Sequence, residues 1–234
     1  LTVTANGQLT GVVEKDNKKT FSHLVTYPIN IYNISFNIGH FVKLQKPYTD
    51  ITGVERTIEC FVMDYREEIA SEYYNQAPKI LKIFEEMYGV FPWWNDGCRF
   101  VESTFAAMEH QSCIAMGDEY VKDWKDTINT TLVHEIAHEW WGNNVTGKDY
   151  CDIWIHEGMA TYSEALFLEK ILGAEDYAER IKKMVRSTYN RIPIHKKCGV
   201  VYNSWMNGPD QDIYAKGGLM MHSLRVLVDN DTLF

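Results

Sequence analysis

His134-Glu135-Ile136-Ala137-His138, with Glu157 after eighteen intervening residues, constrains this 234-residue chain more than any other feature. Two imidazoles four positions apart share one face of a helix, so they can grip one ion only where the chain is helical. A catalytic zinc takes three protein ligands and keeps a further position for water, and two histidines with a glutamate are one such set. The sequence predicts the helices this needs. Ile128, Leu132, Val133, Ile136 and Trp140 recur at helical spacing across residues 127–143. A second helix is expected over 156–172, stopped by Gly173, with Glu157 in its first turn facing the first helix across the metal. A bare five-residue motif recurs by chance as an exposed helix turn. The third donor and the two helices lift this one above that reading. Glu135, beside the first ligand, stands where it can take a proton from water.

Four stretches together resemble the catalytic domain of the M1-family zinc aminopeptidases, the gluzincin group that includes aminopeptidase N and leukotriene A4 hydrolase. The zinc motif is one. In the second, Trp154, Glu157, Gly158, Ala160 and Tyr162 match the family's W-L-N-E-G-F-A-x-Y. In the third, Ala106-Ala107-Met108-Glu109-His110 stands where the family has Gly-Ala-Met-Glu-Asn. In the fourth, Tyr214-Ala215-Lys216-Gly217 is similar to Tyr-x-Lys-Gly. The close resemblance runs from Phe105 to Arg225 and is looser before it.

The resemblance implies an α+β, thermolysin-like zinc domain that removes N-terminal residues from peptides. Zinc would be held by His134, His138 and Glu157, one ion per chain, with Glu135 as general base. Tyr214 would donate a hydrogen bond to the oxyanion, a role that suits a phenol because it adds no charge. Glu109 would bind the α-ammonium of the substrate and so exclude mid-chain peptide, which would leave that carboxylate unpaired. The backbone of Ala106 and Ala107 would bind the substrate like an added strand, and Met108 would line the first side-chain pocket or simply fill the core. Ala106 and His110 depart from the family's Gly and Asn, which bears on the shape of that loop and removes no catalytic group. His110 reads as a hydrogen-bonded loop histidine. Glu164 and Asp152 are candidates to orient a ligand histidine, against the plainer reading of a solvated helix face.

Composition sets outer bounds. The formal charge of −9 argues against nucleic acid and anionic membrane surfaces as partners. No stretch is long and apolar enough to span a bilayer. The five cysteines are odd in number and lack a CxxC, which favours buried free thiols and leaves one bridge open. The chain starts without methionine, so targeting is unreadable, and the compartment expected is periplasmic or extracellular.

Residues 1–62 read as β, the tail of the family's N-terminal β domain, and 63–234 as a truncated catalytic domain without the family's C-terminal helical domain. A hairpin is expected over 1–14 about Asn6-Gly7, with strands over 20–27, 31–38 and 56–63. A helix over 67–88, kinked or divided at Pro78, comes next, then a strand over 100–105. Helices are expected over 175–190 and 212–229, separated by a loop-rich stretch over 191–209. Two rivals remain. One is epoxide hydrolysis like that of leukotriene A4 hydrolase, whose apolar tunnel and carboxylate-binding arginine are not identifiable. The other is a non-catalytic interaction module on an M1-like scaffold.

Overall fold

The computed structural model describes residues 1–195, 197–198 and 211–231. The chain divides into two compact units, Leu1–Glu139 and Trp140–Phe234. No described helix is long and apolar enough to cross a membrane.

The first unit opens with two ribbons. β1 (Thr2–Ala5) pairs antiparallel with β4 (Phe36–Gly39), and β2 (Gln8–Lys15) pairs with β3 (Lys18–Leu24). The expected hairpin about Asn6-Gly7 is therefore not formed: the chain does turn there, but β1 and β2 take different partners. The tight hairpin instead turns at Asp16 and Asn17, both left-handed at φ 52° and 57°, as a two-residue turn that matches strand twist requires. Gly7 is also left-handed, and a Cβ there would sit 2.2 Å from the Leu24 carbonyl oxygen. The strand expected over 31–38 is shorter: Ile31–Asn33 form a 3-10 turn and only Phe36–Gly39 pair.

Behind the ribbons stands a five-stranded sheet of β5 (Phe41–Thr49), β6 (Glu55–Met63), β7 (Cys98–Ser103), β8 (Ala107–Met108) and β9 (Cys113–Gly117), in the order β5-β6-β7-β9-β8. β6, β7 and β9 run parallel, and both edge strands are antiparallel to their neighbours. β5 carries Pro47 and three lysine or glutamine positions, which hides it as a strand; it is an edge, where proline is tolerated. Ile58, Phe100 and Ile114 from the sheet are buried, as are Tyr74, Ile80, Leu81, Phe84, Leu132 and Ile136 from the helical segments. The helix expected over 67–88 is divided as anticipated: α1 (Glu67–Tyr73) and α2 (Ala77–Tyr88) flank a 3-10 turn, with Pro78 at the start of α2 and Gly89 at its end. Buried Glu85 accepts hydrogen bonds from the Tyr48 hydroxyl, the backbone of Ile51 and Phe91, and the Trp94 indole. The unit's last helix is α3 (Thr130–Ala137).

The second unit is helical. α4 (Trp154–Leu172), α5 (Ala174–Ser187) and α6 (Asp212–Val228) pack together. Asp212 accepts the backbone N–H groups of Tyr189 and Asn190, each at 2.7 Å, and so ties the end of the α5 segment to the start of α6. A disulfide joins Cys151, just before α4, to Cys198. Cys60, Cys98 and Cys113 are free and buried, in line with the expectation of mostly free thiols with one bridge left open. The loop expected over 191–209 lies largely outside the described residues.

Candidate active site

α3 is short and held hard at its start. Asn129 caps it, its side-chain oxygen accepting the Leu132 N–H at 2.6 Å. Asp123 accepts the backbone N–H and the hydroxyl of Thr130. These bonds satisfy donors that the first helical turn leaves without intrahelical partners. The α-helix ends at Ala137, six residues short of the expected end, yet the His138 N–H still bonds the His134 carbonyl. The two rings therefore sit on one face, edge to face, with centroids 4.6 Å apart. That is the geometry the spacing required, and it fits a shared ion.

Glu109 follows the edge strand β8 and is buried, as are Glu135 and His138. One polar atom from each of the three lies within 4.8 Å of the others. The structure thus brings the amine-binding candidate to the candidate base and a candidate ligand. The loop is fixed from both sides. The Gly117 N–H bonds the Ala106 carbonyl at 2.7 Å, and the Ala107 and Met108 backbone pairs with Met116 and Ala115 of β9. Beyond it, Glu139 accepts the Ser112 N–H at 2.9 Å. Glu139 is fully buried and went unrecognised in the sequence, where a carboxylate after His138 reads as an outward helix residue. Met108 packs against Phe61, Val101, Cys113 and Ala115. The His110 Nδ1 is buried with no partner among the described residues, and burial lowers the pKa of the ring.

In the second unit, Glu157 occupies the first turn of α4 and is 4% exposed. Tyr214 lies in the first turn of α6, half-buried. One close approach relates them. A Cβ on Gly158 would meet the Gly217 Cα at 2.8 Å, so the two helices cross backbone on backbone. Gly158 adjoins Glu157, and Gly217 lies three positions after Tyr214 on the same helix face. The glycines matched in the sequence as motif letters are thus the physical means by which α4 and α6 pack closely. Lys216 donates to the Ile192 carbonyl at 2.9 Å. Glu164 pairs with Arg180 at 2.5 Å, and Asp152 lies 3.4 Å from His195 Nδ1.

With this geometry in place, comparison with known proteins is direct. Residues 72–234 match the peptidase family M1 domain. The chain belongs to the M1 peptidase family. Among curated proteins it is 29% identical over 182 residues to transcription initiation factor TFIID subunit 2 of Schizosaccharomyces pombe, covering 72% of this chain and 15% of that protein. It is 24% identical over 169 residues to aminopeptidase B of Mus musculus, covering 69% of this chain and 24% of that enzyme. Among solved structures, a mutant of the M1 zinc metallopeptidase of Deinococcus radiodurans aligns with a TM-score of 0.79 at 19% identity, over 99% of this chain and 51% of that one. The α+β fold is that of the M1 metallopeptidases. The chain spans about a quarter or less of the curated relatives named and about half of the solved one.

Proposed function

We propose that the chain carries the catalytic residues of a zinc-dependent aminopeptidase acting on peptides with a free N-terminus. The observation that carries this reading is the buried convergence of Glu109, Glu135 and His138 beside an open sheet edge. His134, His138 and Glu157 are a donor set that could hold a metal ion, and two imidazoles with a carboxylate suit zinc. Zinc bound there would supply a Lewis acid at the scissile carbonyl. Glu135 takes a proton from the attacking water and passes it to the leaving amine. Tyr214 donates its phenolic hydrogen to the oxygen on which charge develops. Glu109 pairs with the substrate's ammonium, and the free edge of β8 offers backbone groups to an extended peptide.

The test is Glu135→Gln. The variant, like the unaltered chain, should bind one zinc per chain, and it should lose turnover of free N-terminal peptides, because an amide cannot accept the proton. N-acetylated twins should not be cleaved by either. Full turnover in Glu135→Gln would remove the glutamate from its role. Equal cleavage of free and acetylated peptides would make the protein an endopeptidase. A non-catalytic module is the second reading, favoured by the similarity to a subunit of a transcription initiation factor. Zinc-loaded protein that cleaves neither peptide would support it.

A further inference from the structure

Cys151, His195 and Cys198 gather at one place in the second unit. One donor atom from each lies within 4.8 Å of the other two. Cys151 is buried just before α4, whereas His195 and Cys198 are exposed in the segment that follows α5. Asp152, beside Cys151, carries a carboxylate oxygen 3.4 Å from His195 Nδ1. Two sulfurs and an imidazole suit zinc, and a carboxylate on the other ring nitrogen is the partner that metal-bound histidines usually have. Asp152 reads in the sequence as a group that could orient a ligand histidine. Its place is on this histidine, outside the His134, His138 and Glu157 set.

The disulfide occupies these donors. Zinc is held by thiolate, and a disulfide offers none, so the site depends on redox state. A dithiol supplies the two electrons. Its thiolate attacks the Cys198 sulfur, which is the exposed partner, and its second thiol closes the mixed disulfide on itself and leaves as a cyclic disulfide. Cys151 and Cys198 are left with one thiol each, and zinc displaces both protons as it binds. The movement required is small. The two Cα atoms lie 5.0 Å apart. Sulfurs about 2.3 Å from a tetrahedral zinc stand about 3.8 Å from each other, which side-chain rotation and a modest shift of the exposed segment supply.

This cross-link has a structural task. Cys151 stands shortly before Glu157, and α4 has no side-chain cap at its start. The bond to Cys198 ties that start to the segment after α5. Reduction alone would remove the tie, and zinc would restore it through the same residues. We propose that Cys151, His195 and Cys198 form a second zinc site when their disulfide is reduced, with Asp152 orienting the imidazole, so that the start of α4 is held in either redox state.

The experiment measures metal in the oxidised chain and in the chain reduced by a phosphine, which is exchanged out without air before metal is added. The reduced chain should hold one zinc more than the oxidised one. Cobalt in place of zinc should give a thiolate-to-cobalt charge-transfer band in the reduced chain alone. The first donor set contains no sulfur, so the band reports the second site whatever the first holds and whether or not peptides are cleaved. The band should vanish in Cys198→Ser. Asp152→Asn should keep it and weaken cobalt binding by about 10–100-fold, the usual effect of losing a ligand's hydrogen-bond partner. Equal metal content in both redox states with no sulfur band would overturn the inference. A band that persists in Cys198→Ser would come from Cys60, Cys98 or Cys113 and would overturn it equally, as would an affinity that His195→Ala leaves unchanged.

Discussion

α3 and α4 carry the proposed zinc ligands, and their positions are secured in opposite ways. α3 is eight residues long and is anchored by polar bonds at its N-terminus, from Asn129 and Asp123. Its histidines come from the other end. α4 is nineteen residues long, has no side-chain cap, and buries eleven of its residues. Its ligand stands in the first turn, next to the glycine on which α6 rests. A short helix of this kind is marginal alone and gains from every satisfied end. A long buried one is located by what it packs against.

The first way to break this comparison is to add one carbon. Gly158→Ala places a Cβ 2.8 Å from the Gly217 Cα and 2.9 Å from its carbonyl carbon, where only backbone stands in the way. The helices must separate, an overpacking cost of about 1–3 kcal/mol, offset in part by the ~1 kcal/mol that alanine gains over glycine in a helix. A net loss of up to about 2 kcal/mol is expected, with hydrogen exchange quickening in α4 and α6 and unchanged in α3. Gly217→Ala should behave alike. The double substitution should cost less than the sum, because either methyl forces the same separation. A raised unfolding midpoint in Gly158→Ala would mean that the crossing is not tight.

Asn129→Ala is the counterpart at α3 and should cost about 1 kcal/mol, the usual value of a lost helix cap. Exchange should quicken in the first turn of α3 and leave α4 as it was. If α4 loosened equally, the two helices would share one anchor and the contrast between them would fail.

This contrast also explains what could be read in the sequence. The helical spacing of Leu132, Val133 and Ile136, the imidazoles four apart and the stop at Gly173 all depend on neighbours close in sequence, and all appear in the structure; the division expected at Pro78 falls just before it, at Tyr74–Gln76. What escaped depends on partners far along the chain. Asn6-Gly7 has the composition of a hairpin turn, but the partner of β1 is β4, thirty residues away. Glu139 was not singled out, because its partner, the Ser112 N–H, belongs to a turn whose left-handed Ser112 carries no sequence signal. Cys151 and Cys198, 47 residues apart, could not be paired by counting. The cap at Asn129 is the converse case. It was legible in principle, yet the expected helix begins two residues earlier, at residue 127, and hid it.

The smallest expected effect concerns pH. The α4–α6 group has a polar chain that α3 lacks: the Tyr162 hydroxyl lies 3.1 Å from that of Tyr177, which lies 2.7 Å from His222 Nδ1. Burial, and then the charge of Arg225, lower the His222 pKa from its ordinary value of 6.5. Arg225 is itself engaged with Glu169 and Asp231. A group whose folded pKa is depressed binds fewer protons folded than unfolded. Its contribution to stability is therefore present above about pH 6.5 and is lost as pH falls through the lower folded value. Neutral Nδ1 can accept the Tyr177 hydroxyl, whereas the protonated ring cannot and faces Arg225 as a like charge. The Asn129 amide that caps α3 does not titrate. Urea unfolding at pH 7.5 and 5.5 should therefore show a larger loss in the unaltered chain than in His222→Gln, whose amide oxygen can still accept from Tyr177. Solvent around a half-exposed ring keeps the difference below about 1 kcal/mol. Equal losses in the two proteins would show that the acid sensitivity of this helical group arises elsewhere, and the polar chain would then add no pH dependence to the packing that secures α4.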